Sequence, residues 1–281
     1  MDRKRSLPTP GRVARCSLAP GRTRSAVGDG SVTQMTLSPL LVAASFLAPG
    51  PAPFSPGEQM GFSIDYLGMR MGTATISVGV RAGPDLPVGL EAHTTGVAAV
   101  LFAFRERLTS FLDPESGLPA TSVLDADERG RQRRDTTRFD REAGAAVVRE
   151  GEGSQPVEVA VGPETLDFVA LVFLLRRLPL EPGTRRSFSV LAGTKVQSVV
   201  AEVMEREEIR TPAGTFPALK IRVPTGFSGK FSERHPTYLW LSDDARRIVV
   251  RLATDFSFGS AAAQLVSYRP GEASGSGGGA P

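Results

Sequence analysis

Histidine and cysteine are nearly missing from this chain, and that scarcity removes several classes of chemistry before any pattern is considered. Cys16 is the one cysteine, and His93 and His235 are the two histidines. Cys16 follows Val13-Ala14-Arg15, not the aliphatic and small residues of a bacterial lipoprotein signal, so it reads as neither a lipid anchor nor a metal ligand. The body of the chain is therefore free of thiols, which fits an oxidising compartment and equally a cytosolic one. Any histidine-based mechanism has to use His93, between Ala92 and Thr94 on a predicted strand, or His235, in Glu233-Arg234-His235-Pro236. Neither stands in a nucleophile or metal-binding motif. His235 with Asp243 or Asp244 across a hairpin reads as a metal ligand or as part of a solvated turn, without spacing that decides between them. The chain has no Gly-x-Ser-x-Gly elbow, and Gly193-Thr194-Lys195 lacks the glycine-rich loop that would cradle phosphate. No catalytic residue, metal or cofactor is assigned.

Long hydrophobic runs are missing too. Leu40 to Ala48 is short, interrupted by Ser45, and followed by the turn-rich Pro49-Gly50-Pro51-Ala52-Pro53. That length suits the core of a signal peptide and is too short to span a bilayer. Arg22 and Arg24 supply the basic flank, although a start at Met35 would omit them. The expectation is an exported protein, periplasmic or associated with the outer membrane, with a leader over 1–53 and no transmembrane span.

Net positive charge is also scarce in the body. The formal charge is +3, but residues 1 to 34 hold seven basic and two acidic side chains, leaving the rest slightly acidic. A near-neutral body has no field to attract nucleic acid.

What is abundant is turn chemistry and alternation. With 281 residues the chain can bury a substantial core without disulfide or metal staples, and 30 glycines and 22 prolines favour turns over long helices. Phe62, Ile64 and Tyr66 alternate with polar residues, as do Ala74, Ile76, Val78 and Val80 beyond Gly68. Val157, Val159 and Val161 repeat the period, as do Leu219, Ile221 and Val223, and Ile248, Val250 and Leu252. Such alternation places large apolar groups on one face of half-buried strands. Turn signals fall at Glu128-Arg129-Gly130, Asp140 to Gly144, Thr211 to Gly214 and Ser242-Asp243-Asp244. Short connections between strands imply antiparallel neighbours. The predicted fold is mainly β: one curved antiparallel sheet or partly open barrel over 54–269, followed by a Gly/Ser/Ala-rich tail over 270–281.

One segment departs from the period of two. Thr165 to Leu178 carries Leu166, Val169, Ala170, Phe173 and Leu174 at helical spacing, with Thr165 as a possible N-cap and Pro179 as a stop. Its apolar surface covers nearly the whole circumference, which predicts a helix buried against the sheet; a buried strand pair is the alternative.

Val97 to Phe104 is an apolar stretch directly before Arg105-Glu106-Arg107. It reads as core, or as the lining of an opening in the curved sheet. In the second reading Val97, Phe102 and Phe104 hold an acyl chain, with Arg105 or Arg107 near its polar head. Trp240 in Tyr238-Leu239-Trp240-Leu241 carries the same two readings. The arginines from Arg129 to Arg141 are interrupted by Asp135 and Asp140, as on a solvated hairpin. Their alternative is contact with anionic headgroups or polysaccharide, since paired N–H donors suit phosphate and carboxylate.

Several segments taken together carry a resemblance. They are Gly57-Glu58 followed by Phe62, Tyr66, Gly72 and Ala74; Leu166-Asp167 with Leu175-Arg176; Thr211-Pro212-Ala213-Gly214-Thr215-Phe216; and Leu239 through Arg247. Over about Phe54 to Tyr268 this order resembles the bacterial domain-of-unknown-function family three thousand one hundred and eight. The resemblance implies an exported protein and carries over no catalytic residues. The family pattern resembles Asp-x-Leu-Ser at the helix start, whereas this chain has Asp167-Phe168-Val169-Ala170, so no polar role of that serine transfers. The signature turns read as devices that fix strand pairing.

The expected function is that of an envelope domain without catalytic activity, binding a hydrophobic or amphipathic ligand such as a lipid. An envelope protein-interaction or assembly factor is the second reading, and a hydrolase built on His93 or His235 the third.

Overall fold

The computed structural model describes residues 52–81, 83–223, 237–256 and 259–272. Cys16, the apolar run Leu40 to Ala48, His235 and most of the Gly/Ser/Ala-rich tail lie outside the described residues.

The alternation in the sequence becomes one long antiparallel meander. It starts with β1 (Gln59–Tyr66), β2 (Met69–Val78) and β3 (Leu86–Thr94), followed by the short helix α1 (Gly96–Leu101). It continues through β4 (Phe104–Leu112), β5 (Pro119–Glu128), β6 (Arg131–Asp140), β7 (Ala145–Glu150) and β8 (Val157–Ala160). The helix α2 (Phe168–Arg177) leads to β9 (Arg185–Ala192), β10 (Lys195–Thr211) and β11 (Gly214–Val223). The last strands are β12 (Thr237–Ser242), β13 (Val249–Phe256) and β14 (Gly259–Arg269). The spatial order runs from β8 back to β1, then β14 down to β9. The first and last strands therefore pair in the middle of the sheet, with Gln59 opposite Arg269.

Local chemistry explains the hairpins. Leu67 and Gly68, and again Arg129 and Gly130, both have positive φ, the conformation that lets a two-residue turn follow the twist of its flanking strands. The expected turns at Asp140 to Gly144, Thr211 to Gly214 and Ser242-Asp243-Asp244 separate β6 from β7, β10 from β11 and β12 from β13.

The ladder is open between β8 and β9, which α2 connects. The segment before α2 spans part of this gap: Leu166 donates its N–H to the Ser189 carbonyl and accepts from the Leu191 N–H, each at 2.8 Å. Phe139, Ala146, Val148, Val161 and Leu191 form a small buried cluster that joins strands from the two sides of the opening. These contacts occupy backbone groups that a bare sheet edge would offer to another chain.

The main core lies on the face that α2 covers, where residues of β1 to β4 and β9 to β14 pack with the helix. The helix is buried almost all round, as its apolar circumference predicts. Its N-cap is Asp167 and not Thr165: the Asp167 carboxylate accepts from the Ala170 N–H at 2.8 Å, while Thr165 pairs with the Ser189 hydroxyl at 3.0 Å. An ionised carboxylate is the stronger partner for exposed N–H groups at a helix start. The Ser110 hydroxyl of β4 donates to the same carboxylate at 2.6 Å and anchors the helix start to the sheet.

The helix end is held by a clamp. Arg176 donates to both oxygens of Glu58 at 2.8 Å, and to the carbonyls of Arg247 at 2.9 Å and Arg246 at 3.2 Å. Its guanidinium lies against the rings of Phe54 and Phe173. The side chains of Arg176 and Glu58 are 0% and 1% exposed, and the Tyr268 hydroxyl also donates to Glu58. Three of the segments that carry the family resemblance thus meet at one buried ion pair, which makes that part of the signature a matter of fold.

Candidate functional site

The half of the sheet distant from the clamp is not filled. Phe62 pairs with Ala74, and Ala74 with Ala92, so two alanines stand side by side on the concave face beside the phenylalanine. Ala263 of β14 lies opposite Ile64 on one side and Leu252 on the other. Short side chains on adjacent strands leave a cavity of about 690 Å³, within the range of about 300–1,000 Å³ usual for small-molecule sites. Ile76 and Leu90 extend its apolar wall, Phe168 of α2 borders it, and Phe102 and Phe104 complete the lining where β4 begins.

One wall is polar. Glu106, Glu128 and Arg133 line the same cavity. Glu106 follows the inward side of β4, between Phe104 and Leu108, and burial raises the pKa of its carboxyl. Arg133 opposes that rise, while Glu128 and Asp135 add to it. Arg133 reaches Asp135 at 3.2 Å and is more than half exposed. A second space of about 340 Å³ shares Leu90, Glu106, Arg133 and Phe168 with the first, and adds Ser122, Asp135, Thr137 and Glu150. The two together make an interior that is apolar toward β1, β2 and β14 and polar toward β5, β6 and β7. Asp167 borders the smaller space, and burial raises its pKa against the lowering effect of its hydrogen bonds to Ala170 and Ser110.

The residues singled out in the sequence are divided among different places. Phe102 and Phe104 line the cavity and stack with ring centroids 6.2 Å apart. Arg105 and Arg107 alternate with Glu106 and border a groove on the other face of β4, together with Asp125, Asp127 and Arg134. Arg107 is held there by Glu91 at 2.7 Å. Val97 is 75% exposed on α1, and Val100 and Leu101 are exposed as well. Ala98 of this stretch is buried, but Val97, Val100 and Leu101 stand exposed on α1 at the end of the sheet, which corrects the expectation that they pack as core. Trp240 sits away from the cavity; its ring N–H donates to Glu207 at 2.6 Å, with Lys220 and Arg251 over the ring.

His93 pairs across β2 and β3 with Thr73, at 3.2 Å between Nε2 and Oγ1, and no carboxylate contacts it among the described residues. Among those residues no group of three or more metal-ligating side chains converges. The arginine-rich hairpin divides likewise: Arg134 reaches Asp125 at 3.0 Å, whereas Arg141 donates to the carbonyls of Pro163 and Pro119 at 2.6 and 2.8 Å. Sequence reasoning missed Glu106, Phe168 and the alanines, and placed Arg133 in the arginine-rich hairpin without its place on the cavity wall. Glu106 had a signal, since a period of two sets it on the face opposite its flanking arginines.

Similarity to known proteins concerns the fold. The chain is similar to a β-barrel-like protein of the domain of unknown function DUF1849 from Brucella abortus, with 10% identity, a TM-score of 0.53, and coverage of 77% of this chain and 98% of that one. It is also similar, with a TM-score of 0.30 and 10% identity, to a candidate exported protein with a YmcC-like fold from Bacteroides fragilis, over 79% of this chain and 99% of that one. No curated protein matches. Among the described residues no helix is long and apolar enough to cross a membrane. The family described as protein of unknown function DUF3108 matches residues 61–266, nearly the whole sheet from β1 to β14, and the chain belongs to that family.

Proposed function

We propose that the protein is an exported, non-enzymatic envelope domain that binds an amphipathic small molecule in the interior of its curved sheet. The observation that carries this reading is the cavity of about 690 Å³, apolar on one side and edged by Glu106, Glu128 and Arg133 on the other. Apolar lining supplies affinity through the area removed from water, and a few polar groups orient the ligand. The leader supports export through its short apolar run, and the family resemblance agrees with it.

The test is native mass spectrometry of protein purified without delipidation, with displacement of a neutral fluorescent probe such as N-phenylnaphthylamine. The expected result is co-purifying mass of a small amphiphile and saturable probe binding that Ala92→Phe reduces by about tenfold or more, since a ring there occupies the space of the ligand. No bound mass, with probe binding untouched by Ala92→Phe, overturns the proposal.

A second reading, contact with an envelope protein, is favoured by exposed apolar side chains at the end of the sheet where α1 lies. Val97, Val100 and Leu101 of α1 are joined there by Leu67 and Met69 of the first hairpin, each more than half exposed. Site-specific crosslinking from position 100 in cells tests it; the absence of any specific adduct removes it.

A further inference from the structure

The charges on the cavity wall specify which kind of head the ligand carries. This inference rests on the ligand-binding reading above and adds the chemical class. Glu106, Glu128, Asp135, Glu150 and Asp167 line the two adjoining spaces, against a single guanidinium, that of Arg133. That guanidinium is partly matched by the protein: its Nε lies 3.2 Å from Asp135, whose other oxygen accepts the Gly151 N–H at 2.9 Å. Glu106 and Arg133 share Ala126 as their partner in register, so they stand in one row with a strand between them, about 10 Å from backbone to backbone. Arg133 therefore moderates Glu106 from a distance. Neither Glu106 nor Glu128 forms an ion pair or a side-chain hydrogen bond among the described residues.

Among the other arginines of this end, Arg131 is the register partner of Glu128 but lines neither space. Arg105 and Arg107 lie on the opposite face of β4, and Arg107 is occupied by Glu91. Arg129 lies over the Phe102 ring and donates to the Leu101 carbonyl at 3.2 Å, at the end of the sheet where Phe102 stands. An amphiphile with a carboxylate or phosphate head would thus place its anion beside Glu106 and Glu128, where carboxylates outnumber the one lining guanidinium and like charges repel. A head that donates hydrogen bonds and carries positive charge finds two acceptors at the boundary between the apolar and polar walls. Glu106 has lost part of its hydration to the surrounding Phe104, Leu90 and Phe168, and an ammonium would replace those lost contacts with a charge-assisted hydrogen bond.

We propose that the cavity takes a single-chain amphiphile with a protonated amine head, its chain against Phe62, Ala74, Ala92 and Phe168 and its ammonium donating to Glu106, with Glu128 beside it. Shape selects the chain and charge selects the head, so chains of equal length should be ranked by head alone.

The experiment is calorimetric titration of the full chain at neutral pH with laurylamine, lauryl alcohol and laurate, each below its aggregation limit. Laurylamine is expected to bind tightest, about tenfold or more above laurate, as a charge-assisted hydrogen bond in a partly dry site implies. Glu106→Gln keeps the shape and removes the charge; it should lower laurylamine affinity about tenfold and leave lauryl alcohol within about twofold. Arg105→Ala, on the other face, should change none of the three, and circular dichroism establishes that each variant is folded.

Laurate binding as tightly as laurylamine, or laurylamine affinity unmoved by Glu106→Gln, overturns the head assignment and leaves the cavity as a ligand site. Failure of all three to bind saturably, or binding that Ala92→Phe does not reduce, removes the cavity reading itself and this inference with it.

Discussion

Replacing Arg176 by methionine removes a buried guanidinium while keeping most of the side-chain length, which separates the polar contribution of the clamp from its packing. The variant loses two hydrogen bonds to Glu58 and those to the carbonyls of Arg246 and Arg247. Glu58, 1% exposed, then keeps the Tyr268 hydroxyl at 3.2 Å and has no cation beside it. Stranding one member of a buried ion pair typically costs about 3–5 kcal/mol, because the remaining charge is neither hydrated nor matched. Against a total stability of about 5–15 kcal/mol for a folded domain, that is a large fraction. Urea unfolding of the full chain, followed by near- and far-ultraviolet circular dichroism, gives the loss from the shift in midpoint at constant slope. The double variant Glu58→Gln with Arg176→Met removes both charges, so it should be more stable than Arg176→Met alone. A loss below about 1 kcal/mol for Arg176→Met, the level of an ordinary surface pair, refutes the clamp. A double variant whose loss equals the sum of the two single losses refutes the coupling.

Three further outcomes follow from the geometry. Ser110→Ala deprives the buried Asp167 carboxylate of its hydroxyl donor and should cost about 1–3 kcal/mol by the same unfolding measurement, with the helix start loosening first in hydrogen exchange. Gly72→Ala drives a methyl group into the backbone carbonyl of His93 on the paired strand; it should destabilise by about 1–3 kcal/mol, and a neutral result would contradict the close approach. Because burial raises the pKa of Glu106, the folded protein holds that proton more tightly than the unfolded chain. Its contribution to stability is then full below the unfolded carboxylate range and is lost as pH rises through the folded value. Glu106→Gln should accordingly stabilise the ligand-free protein at pH 7 and lose that advantage near pH 4; urea midpoints at the two values measure it, and a variant less stable at pH 7 overturns the sign.

The sheet was legible because most of its strands have one face on a core and one toward solvent, so a period of two survives in the residues. Ala74, Ile76 and Val78, or Leu219, Ile221 and Val223, record which side is buried without any reference to partners. Helix α2 was legible for the opposite reason: burial on nearly every side leaves a continuous apolar run of helical length between Asp167 and Pro179. Its cap was misplaced because Thr165 and Asp167 are both competent acceptors, and only the fold brings Ser110 to the second. Val97, Val100 and Leu101 misled because apolar character was taken to mean burial, whereas the short α1 turns only Ala98 inward among its described residues. The cavity was half legible. Phe102 and Phe104 were singled out, but empty space is made by what faces what, and Ala74 beside Ala92 has meaning only in register. The polar wall depends on strands far apart in the chain, since Glu106 and Arg133 become neighbours only through Ala126.

The pairing of β1 with β14 has a consequence for how the molecule is assembled. Each half of the sheet is a run of local hairpins that can zip up as the chain emerges, since such contacts close short loops. The seam between the halves cannot form until Gly259–Arg269 is available, more than 190 residues after Gln59–Tyr66 has been made. Until then β1 carries an unpaired edge in the centre of the future sheet, a template for pairing with another chain. The same late step brings Tyr268 to Glu58. A chain truncated before β14 would therefore lack its seam as well as a strand. Aggregation through β1, not gradual loss of stability, is the failure expected of C-terminal deletions.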